Sequence, residues 1–263
     1  MNHDTPVLHS LRIQMRVVGA LLMREILTRY GRHNVGFLWT FFEPMMFTLG
    51  VLALWTITKA THGSSLPITS FAVTGYSSVL LWRNCANRCA LAILPNQSLL
   101  YHRNVRVIDL FTARVLLEIA GATMSFVFLT LFFVAAGLMP APQDISLVIG
   151  GWVHLAVFGS SLGFIVGALT ERSETVERVW HTISYLLFPL SGAIFMVEWL
   201  PEKAQKIILL LPMVHGTEML RGGYFGLQVK PHYDVDYMIV CDMVMVLVGL
   251  FLVQDASKRV EPE

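Results

Sequence analysis

The chain has 263 residues, of which 55% are hydrophobic and only 14% are charged, with a net charge of +1. A soluble domain of this size usually carries about 25% charged residues, and here long apolar runs alternate with charged clusters. The pattern argues against a soluble enzyme and predicts an all-α integral membrane protein. Cys85 and Cys89 lack a second ligand pair for zinc, so we interpret them as ordinary small apolar residues.

Residues 1–34 are predicted to be a cytoplasmic N-terminus that contains an amphipathic helix at the membrane interface. Basic side chains fall mainly on the face that would meet lipid headgroups, and arginines interrupt the region where a cleaved signal would need an uncharged run. Such a helix anchors the first span or gates the cytoplasmic mouth, and the two roles are compatible. Its predicted apolar stripe is Leu8, Leu11, Met15, Val18, Leu22 and Ile26.

A membrane-spanning helix needs about 20 mostly apolar residues, and six segments fit. They are residues 35–58, 66–82 (continuing as helix toward 94), 110–139, 145–170, 176–197 and 237–254. The chain is therefore divided into the N-terminus, five spans over 35–198, a segment at 199–230, and a sixth span with a cytoplasmic C-terminus over 231–263.

The apolar run within residues 199–230 is too short to cross the membrane. We predict a re-entrant hairpin on the periplasmic side, broken into two short helices by Pro212 and by a glycine cluster. That cluster is Gly216, Gly222, Gly223 and Gly226. With this topology 14 Lys and Arg residues face the cytoplasm and 5 face outward, so the positive-inside rule predicts that both termini are cytoplasmic.

Two predicted cytoplasmic segments are candidates for short helices that dock on a partner. Residues 95–106 begin with a proline suited to a first helical turn and are too polar to insert. Residues 170–178 place Glu171, Glu174 and Glu177 at the start of the next helix, where acids favour the helix dipole.

Motifs for catalysis are weak. Residues 159–163 match a nucleophile elbow, which keeps an intramembrane hydrolase built on Ser161 as an alternative, but the match lies inside an apolar run. Gly159, Gly163 and Gly167 instead form a small-residue ridge suited to close helix packing. No lysine follows a glycine, so the chain has no P-loop, and a separate chain must bind any ATP.

Glu43, Glu118 and Asp242 are the acids within predicted spans. Charges at this depth are candidates for function, although we expect Glu43 to pair with Arg83, Arg88 or Arg114. Aromatic side chains stack well on sugar rings, so a glycan channel lined with them is physically reasonable. The candidate channel residues are Phe41, Phe42, Glu43, Tyr76 and Trp82.

Two stretches resemble a known family. Residues 23–32, MREILTRYGR, with GFLW at 36–39 and Glu43-Pro44, are similar to ABC exporter permeases of the type-2 class. Residues 191–201, SGAIFMVEWLP, resemble the capsular polysaccharide branch of that class, the KpsM-like inner-membrane proteins. The resemblance covers essentially the whole chain.

The resemblance implies a multi-pass protein of the bacterial inner membrane that forms a homodimeric channel. Its partners would be two cytoplasmic ATP-binding subunits that carry the ATP and Mg, a periplasmic co-polymerase and an outer-membrane export protein. The cargo would be an anionic lipid-linked polysaccharide. The chain itself would hold no cofactor or metal, would contact membrane lipids but no nucleic acid, and would not be an enzyme. O-antigen or teichoic-acid exporter permeases share this fold and remain an alternative, as does a purely structural anchor.

The resemblance also assigns residues. The coupling contacts to the ATPase would be Pro95, Asn96, Leu99, Tyr101, His102, Arg103, Glu171, Glu174 and Glu177. The substrate entrance would be Arg24, Arg29, Tyr30, Arg32 and His33. Cationic side chains there would suit an anionic lipid and acidic sugars, although the positive-inside rule requires basic residues at this place in any case.

Overall fold

The computed structural model describes residues 6–30, 36–58, 66–90, 92–100 and 105–260. Within these ranges all regular structure is helical, which confirms the predicted all-α class. The ten α-helices are α1 (Pro6–Tyr30), α2 (Gly36–Ile57), α3 (Ile68–Cys89), α4 (Gln97–Leu100), α5 (Val107–Ala135), α6 (Ile145–Arg172), α7 (Glu174–Leu190), α8 (Glu202–Ile208), α9 (Pro212–Phe225) and α10 (Val235–Val260).

Four of the described helices are long and apolar enough to cross a membrane: α2 from Leu38, α5, α6 and α10. They match four of the six predicted spans. The other two predicted spans differ from expectation, because α3 is less apolar and α7 is only 17 residues long. The predicted fifth span, 176–197, extends too far at its C-terminal end, because α7 ends at Leu190 and the chain turns there.

Helix α3 lies in the middle of the bundle, which explains its polar composition. Most of its side chains are buried by neighbouring helices rather than facing outward. Two of its hydroxyl groups bond to its own backbone: Thr74 Oγ1 donates to the Ser70 carbonyl (2.7 Å), and Ser78 Oγ to the Thr74 carbonyl (2.6 Å). A helix enclosed in this way can carry such hydroxyl groups, because these two are satisfied without water.

The glycine ridge of α6 determines how close α3 can come. A Cβ atom on Gly159 would lie 2.5 Å from the Trp82 Cα atom, and one on Gly163 would lie 2.9 Å from the Cys85 carbonyl oxygen. Cys85 and Cys89 are fully buried at this contact. The predicted packing ridge and the structural interpretation of the two cysteines are confirmed.

Ser161 lies in the same helix, and its Oγ donates to the Val157 carbonyl one turn earlier (2.7 Å). The nucleophile elbow requires a strand-to-helix turn that exposes the serine. A continuous helix does not provide that turn, so the structure removes the geometric basis of the hydrolase alternative.

The segment after α7 contains two short helices, as predicted, but the glycines do not separate them. The break lies at residues 209–211, and Pro212 begins α9, a position that proline favours. Gly216 and Gly223 lie inside α9 because α6 approaches closely. A Cβ atom on Gly216 would lie 2.7 Å from the Leu155 side chain, and one on Gly223 would lie 2.6 Å from the Asp144 carbonyl oxygen.

Replacing Gly159 with alanine should destabilise the bundle. The new Cβ atom would meet backbone atoms of α3 that cannot move without separating the two helices, and overpacking of this kind costs about 1–3 kcal/mol. We expect a lower thermal midpoint for the purified protein in detergent. The control is Gly50→Ala in α2, where nothing lies within 4 Å of the added atom. Equal midpoints for the two variants would contradict the ridge.

Candidate transport site

Among the described residues, one end of the bundle collects arginines from α3, the start of α5 and the junction of α6 with α7, and we call it the Arg-rich end. These arginines are Arg88, Arg106, Arg114, Arg172 and Arg178. Arg88 of α3 pairs with Glu43 of α2 (3.1 Å) and with Glu118 of α5 (3.4 Å). This confirms that Glu43 pairs with one of the three expected arginines. Glu118 is buried, so its charge is neutralised by Arg88 rather than by water. The two ion pairs connect three helices at this end.

Helix α1 packs against the Arg-rich end through a face centred on Val18 and Leu21, which are buried. Gln14 Nε2, on the same side, donates to Asp109 Oδ1 of α5 (3.0 Å). Of the predicted apolar stripe, Leu11 and Met15 are 51% and 74% exposed, while Val18 packs on the bundle. The predicted placement of the stripe in the membrane interface stays a prediction.

The structure joins residues that the sequence assigned to two different sites. Arg24, expected at the substrate entrance, donates from Nη1 to Oδ1 of Asn96 (2.5 Å), which was expected to contact the ATPase. Arg29 and Tyr30 end α1, but their side chains lie outside the described part, as do Arg32 and His33. Their predicted role stays a prediction.

A cleft of about 310 Å³ lies between the second predicted coupling segment and the chain that leads into the first, which itself contributes Gln97 to the lining. In the first segment Pro95 and Asn96 form a tight turn before α4, and Leu99 is half-buried; Tyr101, His102 and Arg103 lie outside the described residues. In the second segment Ser173 separates α6 from α7, and its Oγ accepts the Thr175 N–H (3.2 Å). The residues of the cleft that were predicted to couple are Glu171, Glu174 and Glu177, which face Ile93, Leu94 and Gln97.

A series of aromatic rings runs between α2, α3 and α7. Tyr76 is at its centre, with ring centroids 6.0 Å from Phe47, 5.8 Å from Phe188 and 5.3 Å from Trp55. We call the series the aromatic column, and its members in mutual ring contact are Phe47, Trp55, Phe71, Tyr76, Phe188 and Trp199. Tyr185 joins the column through Arg83, whose guanidinium lies 4.8 Å from the Tyr185 ring centroid and 5.7 Å from that of Phe188.

Of the predicted channel residues only Tyr76 belongs to the aromatic column. Phe41 and Phe42 stack on each other (6.2 Å), and Trp82 is fully buried against Phe158 (6.0 Å) in the interior. The sequence analysis missed Phe47 and Phe188. The only sequence feature that points to them is that each lies in an apolar helix with a second aromatic residue on the same side. The contact between the two helices is not visible in a single sequence.

At one end of the aromatic column, α9 carries a fully buried arginine. Arg221 donates from Nη1 to the carbonyls of Gly192 (2.5 Å) and Phe195 (2.7 Å), and from Nη2 to that of Ala193 (2.7 Å). Its guanidinium lies 3.8 Å from the ring centroid of Phe71. These contacts hold the turn after α7 against α3.

Glu218, one turn before Arg221, stabilises two further loops. Its carboxylate accepts the Val197 N–H (3.0 Å) and the His232 N–H (2.9 Å). Trp199, two residues beyond Val197, stacks on Phe71 (5.2 Å). Helix α9 therefore fixes both the last ring of the column and the chain that leads to α10.

Comparison with known proteins identifies this arrangement. A sequence model described as ABC-2 type transporter matches residues 16–225. The chain belongs to the ABC-2 type transporter family. It is 46% identical, over 99% of its length and 98% of the relative, to the capsule polysaccharide export inner-membrane protein CtrC of Neisseria meningitidis serogroup A. It is 44% identical to BexB of Haemophilus influenzae, which carries the same description, over 99% and 98% of the two chains.

A more distant relative is the polysialic acid transport protein KpsM of Escherichia coli, which is 25% identical over 92% of this chain and 94% of its own. The family resemblance inferred from the sequence is confirmed. A protein of this family is a membrane-spanning transport subunit, which agrees with the four spans and with the absence of an elbow at Ser161.

Helix α10 of this ABC-2 chain, which follows the residues of the family match, is fastened to the rest by a buried histidine. His154 of α6 contacts Asp242 Oδ2 through Nδ1 (2.8 Å) and the Pro212 carbonyl oxygen through Nε2 (3.0 Å). The carbonyl can only accept, so Nε2 carries a hydrogen. One further proton therefore lies between Nδ1 and the carboxylate, and the pair is neutral overall whichever atom holds it.

This proton count predicts how Asp242 tolerates substitution. Asparagine can donate from its amide to Nδ1, so Asp242→Asn should keep the thermal midpoint close to that of the unmodified protein. Leucine leaves Nδ1 buried without a partner, and we expect a loss of about 1–3 kcal/mol. Asp236→Leu, at an exposed position of the same helix, is the control. An asparagine variant as unstable as the leucine variant would show that the pair requires a full carboxylate.

Proposed function

We propose that this chain is the transmembrane permease subunit of an ATP-driven exporter that carries lipid-linked capsular polysaccharide across the bacterial inner membrane. The observation that carries the proposal is the 44–46% identity, over nearly the full length, to capsule polysaccharide export inner-membrane proteins. Identity at this level over whole chains supports a shared cargo class as well as a shared fold.

The ATPase is a separate subunit that docks at the Arg-rich end. No lysine of the chain follows a glycine, so the chain lacks the loop that holds ATP phosphates. The cleft that both coupling segments help to line offers one continuous surface for a cytoplasmic partner. In this arrangement both termini are cytoplasmic, and two ATP-binding subunits serve a homodimer. A periplasmic co-polymerase and an outer-membrane export protein continue the route outward.

The topology we propose has six spans, with α3 and α7 added to the four apolar helices. With 22 residues, α3 is about 33 Å long, which matches a hydrocarbon core of about 30 Å. Helix α7, with 17 residues, is about 26 Å long at the same rise per residue. The turn that Arg221 holds extends it. Helices α8 and α9 form the re-entrant periplasmic hairpin.

The polysaccharide route we propose follows the aromatic column at the seam between two copies. The interior of one bundle is filled, since Trp82 and Tyr76 are buried, and a polymer cannot pass there. Phe47 and Tyr185, by contrast, are 42% and 68% exposed on neighbouring helices. Two copies that face each other through α2 and α7 would enclose a path lined with aromatic faces.

The first test is export in a capsulated strain that lacks this chain. Complementation with the chain and its ATPase partner should bring polymer to the surface, and omission of either should leave polymer inside the cell. The measurement separates intracellular from surface polysaccharide with a capsule-specific antibody. Normal capsule in the strain that lacks the chain would contradict the proposed cargo. Loss of surface O-antigen in place of capsule would favour the O-antigen alternative.

The aromatic column gives a second prediction. Phe47→Ala and Tyr185→Ala should each slow export by several-fold, because an aromatic contact contributes about 0.5–1.5 kcal/mol. ATP hydrolysis by the assembled complex should remain. Phe251→Ala is the control, since Phe251 is exposed on α10, away from the column. An equal decrease in all three variants, measured as surface polymer per hydrolysed ATP, would exclude the column as the route.

A further inference from the structure

Helix α1 is connected to the Arg-rich end by three polar side chains. Gln14, Arg24 and Glu25 contact Asp109, Asn96 and Arg114 respectively. The positions from 14 to 25 cover three helical turns, or about 16 Å, and the buried Val18 and Leu21 lie between them. Helix α1 is therefore fastened along much of its length to the protein.

The contact with Asn96 has a defined geometry. Asn96 is buried, and its Nδ2 donates to the Ala92 carbonyl (2.9 Å). This leaves Oδ1 to accept from Arg24 Nη1 (2.5 Å), and a guanidinium can only donate. A hydrogen bond with one charged partner is roughly twice as strong as a neutral one. Arg24 is thus held to the turn that begins the first coupling segment.

A second contact reaches the chain immediately before that turn. Arg114 Nε pairs with Glu25 (3.3 Å), while Arg114 Nη1 donates to the Arg88 carbonyl (2.7 Å) near the end of α3. Only a short length of chain separates Arg88 from Asn96. Arg24 therefore contacts the coupling segment itself, and Glu25 is linked through Arg114 of α5 to the helix end that precedes this segment.

We infer that Arg24 and Glu25 are positioning residues that transmit movement of the first coupling segment, of which residues 95–100 carry the contact, to α1. The inference rests on the proposed function, in which the ATPase moves this segment and α1 gates the entrance. When the segment moves, Asn96 takes Arg24 with it, and Glu25 follows through Arg114. Arg24 then acts through Asn96, and not as a free cation that attracts an anionic substrate.

Two variants separate these roles in the intact complex. Asn96→Leu removes the acceptor but leaves the charge of Arg24, and Arg16→Leu removes an equal charge from an exposed position of α1 but leaves the contact. In proteoliposomes with the ATPase partner and lipid-linked polymer from the capsulated strain, we expect Asn96→Leu to retain ATP hydrolysis within about two-fold. Its export should fall about ten-fold, since a hydrogen bond to a charged group contributes roughly 1.5–3 kcal/mol. Arg16→Leu should retain both activities.

Glu25 offers a conservative pair of variants. Glutamine still accepts from Arg114, so Glu25→Gln should export normally, whereas Glu25→Leu should resemble Asn96→Leu. Normal export by Asn96→Leu would overturn the inference. A parallel loss of hydrolysis and export would also overturn it, because that result indicates a role in docking alone.

Spin labels at the exposed residues Leu27 of α1 and Leu94, in the turn that leads into the coupling segment, provide a direct measurement. In the protein that keeps Asn96, the distance between the two labels should be the same with and without nucleotide, since α1 and the coupling segment move together. In Asn96→Leu the separation should change when nucleotide binds, and a change of equal size with Asn96 present would contradict the link. A complex that hydrolyses ATP but exports no capsular polymer would contradict the proposed cargo, while the label distances would still test the link.

Discussion

Charged side chains in an apolar bundle need partners within the protein, because an unpaired polar group among apolar helices costs several kcal/mol. Arg221 shows the strictest form of this constraint. It is fully buried, and backbone carbonyls of residues 192–195 accept its hydrogen bonds. Those carbonyls are available only because the chain turns at the end of α7. The arginine therefore determines where α7 stops, how the turn packs on Phe71, and where the last ring of the aromatic column lies.

The Arg-rich end satisfies the same constraint in a looser way. Arg88 and Glu43 are both partly exposed, with 38% and 46% of their side-chain surface accessible. Exposed ion pairs contribute only about 0–1 kcal/mol, so such contacts exchange partners at small cost, whereas the contacts of Arg221 do not. The Arg88–Glu43 contact is thus adjustable, whereas the contacts of Arg221 are rigid. Under the proposed function, this adjustable contact lies at the end of the bundle where the predicted coupling segments meet the ATPase.

The sequence predicted α2, α5, α6 and α10 because long uncharged runs have few alternatives, and it predicted the glycine ridge because the spacing of Gly159 and Gly163 places both on one face. For α1 it predicted an apolar stripe at the membrane interface but not which residues pack on the bundle. In a membrane protein apolar residues such as Leu11 can face outward while Val18 of the same stripe is buried, so the stripe does not show which face packs. It was wrong about the glycines of α9, because glycine is favoured both where a helix breaks and where two helices pack closely, as α9 does against α6.

The contacts of the candidate site join residues that are far apart in the chain, such as Arg24 and Asn96, and no local periodicity reports such pairs. A partial signal exists, because Arg24 and Asn96 are polar residues beside apolar runs. The close contact of α3 with α6 leaves little freedom for relative movement inside the bundle. Under the proposed function, a displacement of the coupling segment is then taken up mainly by α1, through the contact of Arg24 with Asn96, and docking of the ATPase would be linked to opening of the entrance.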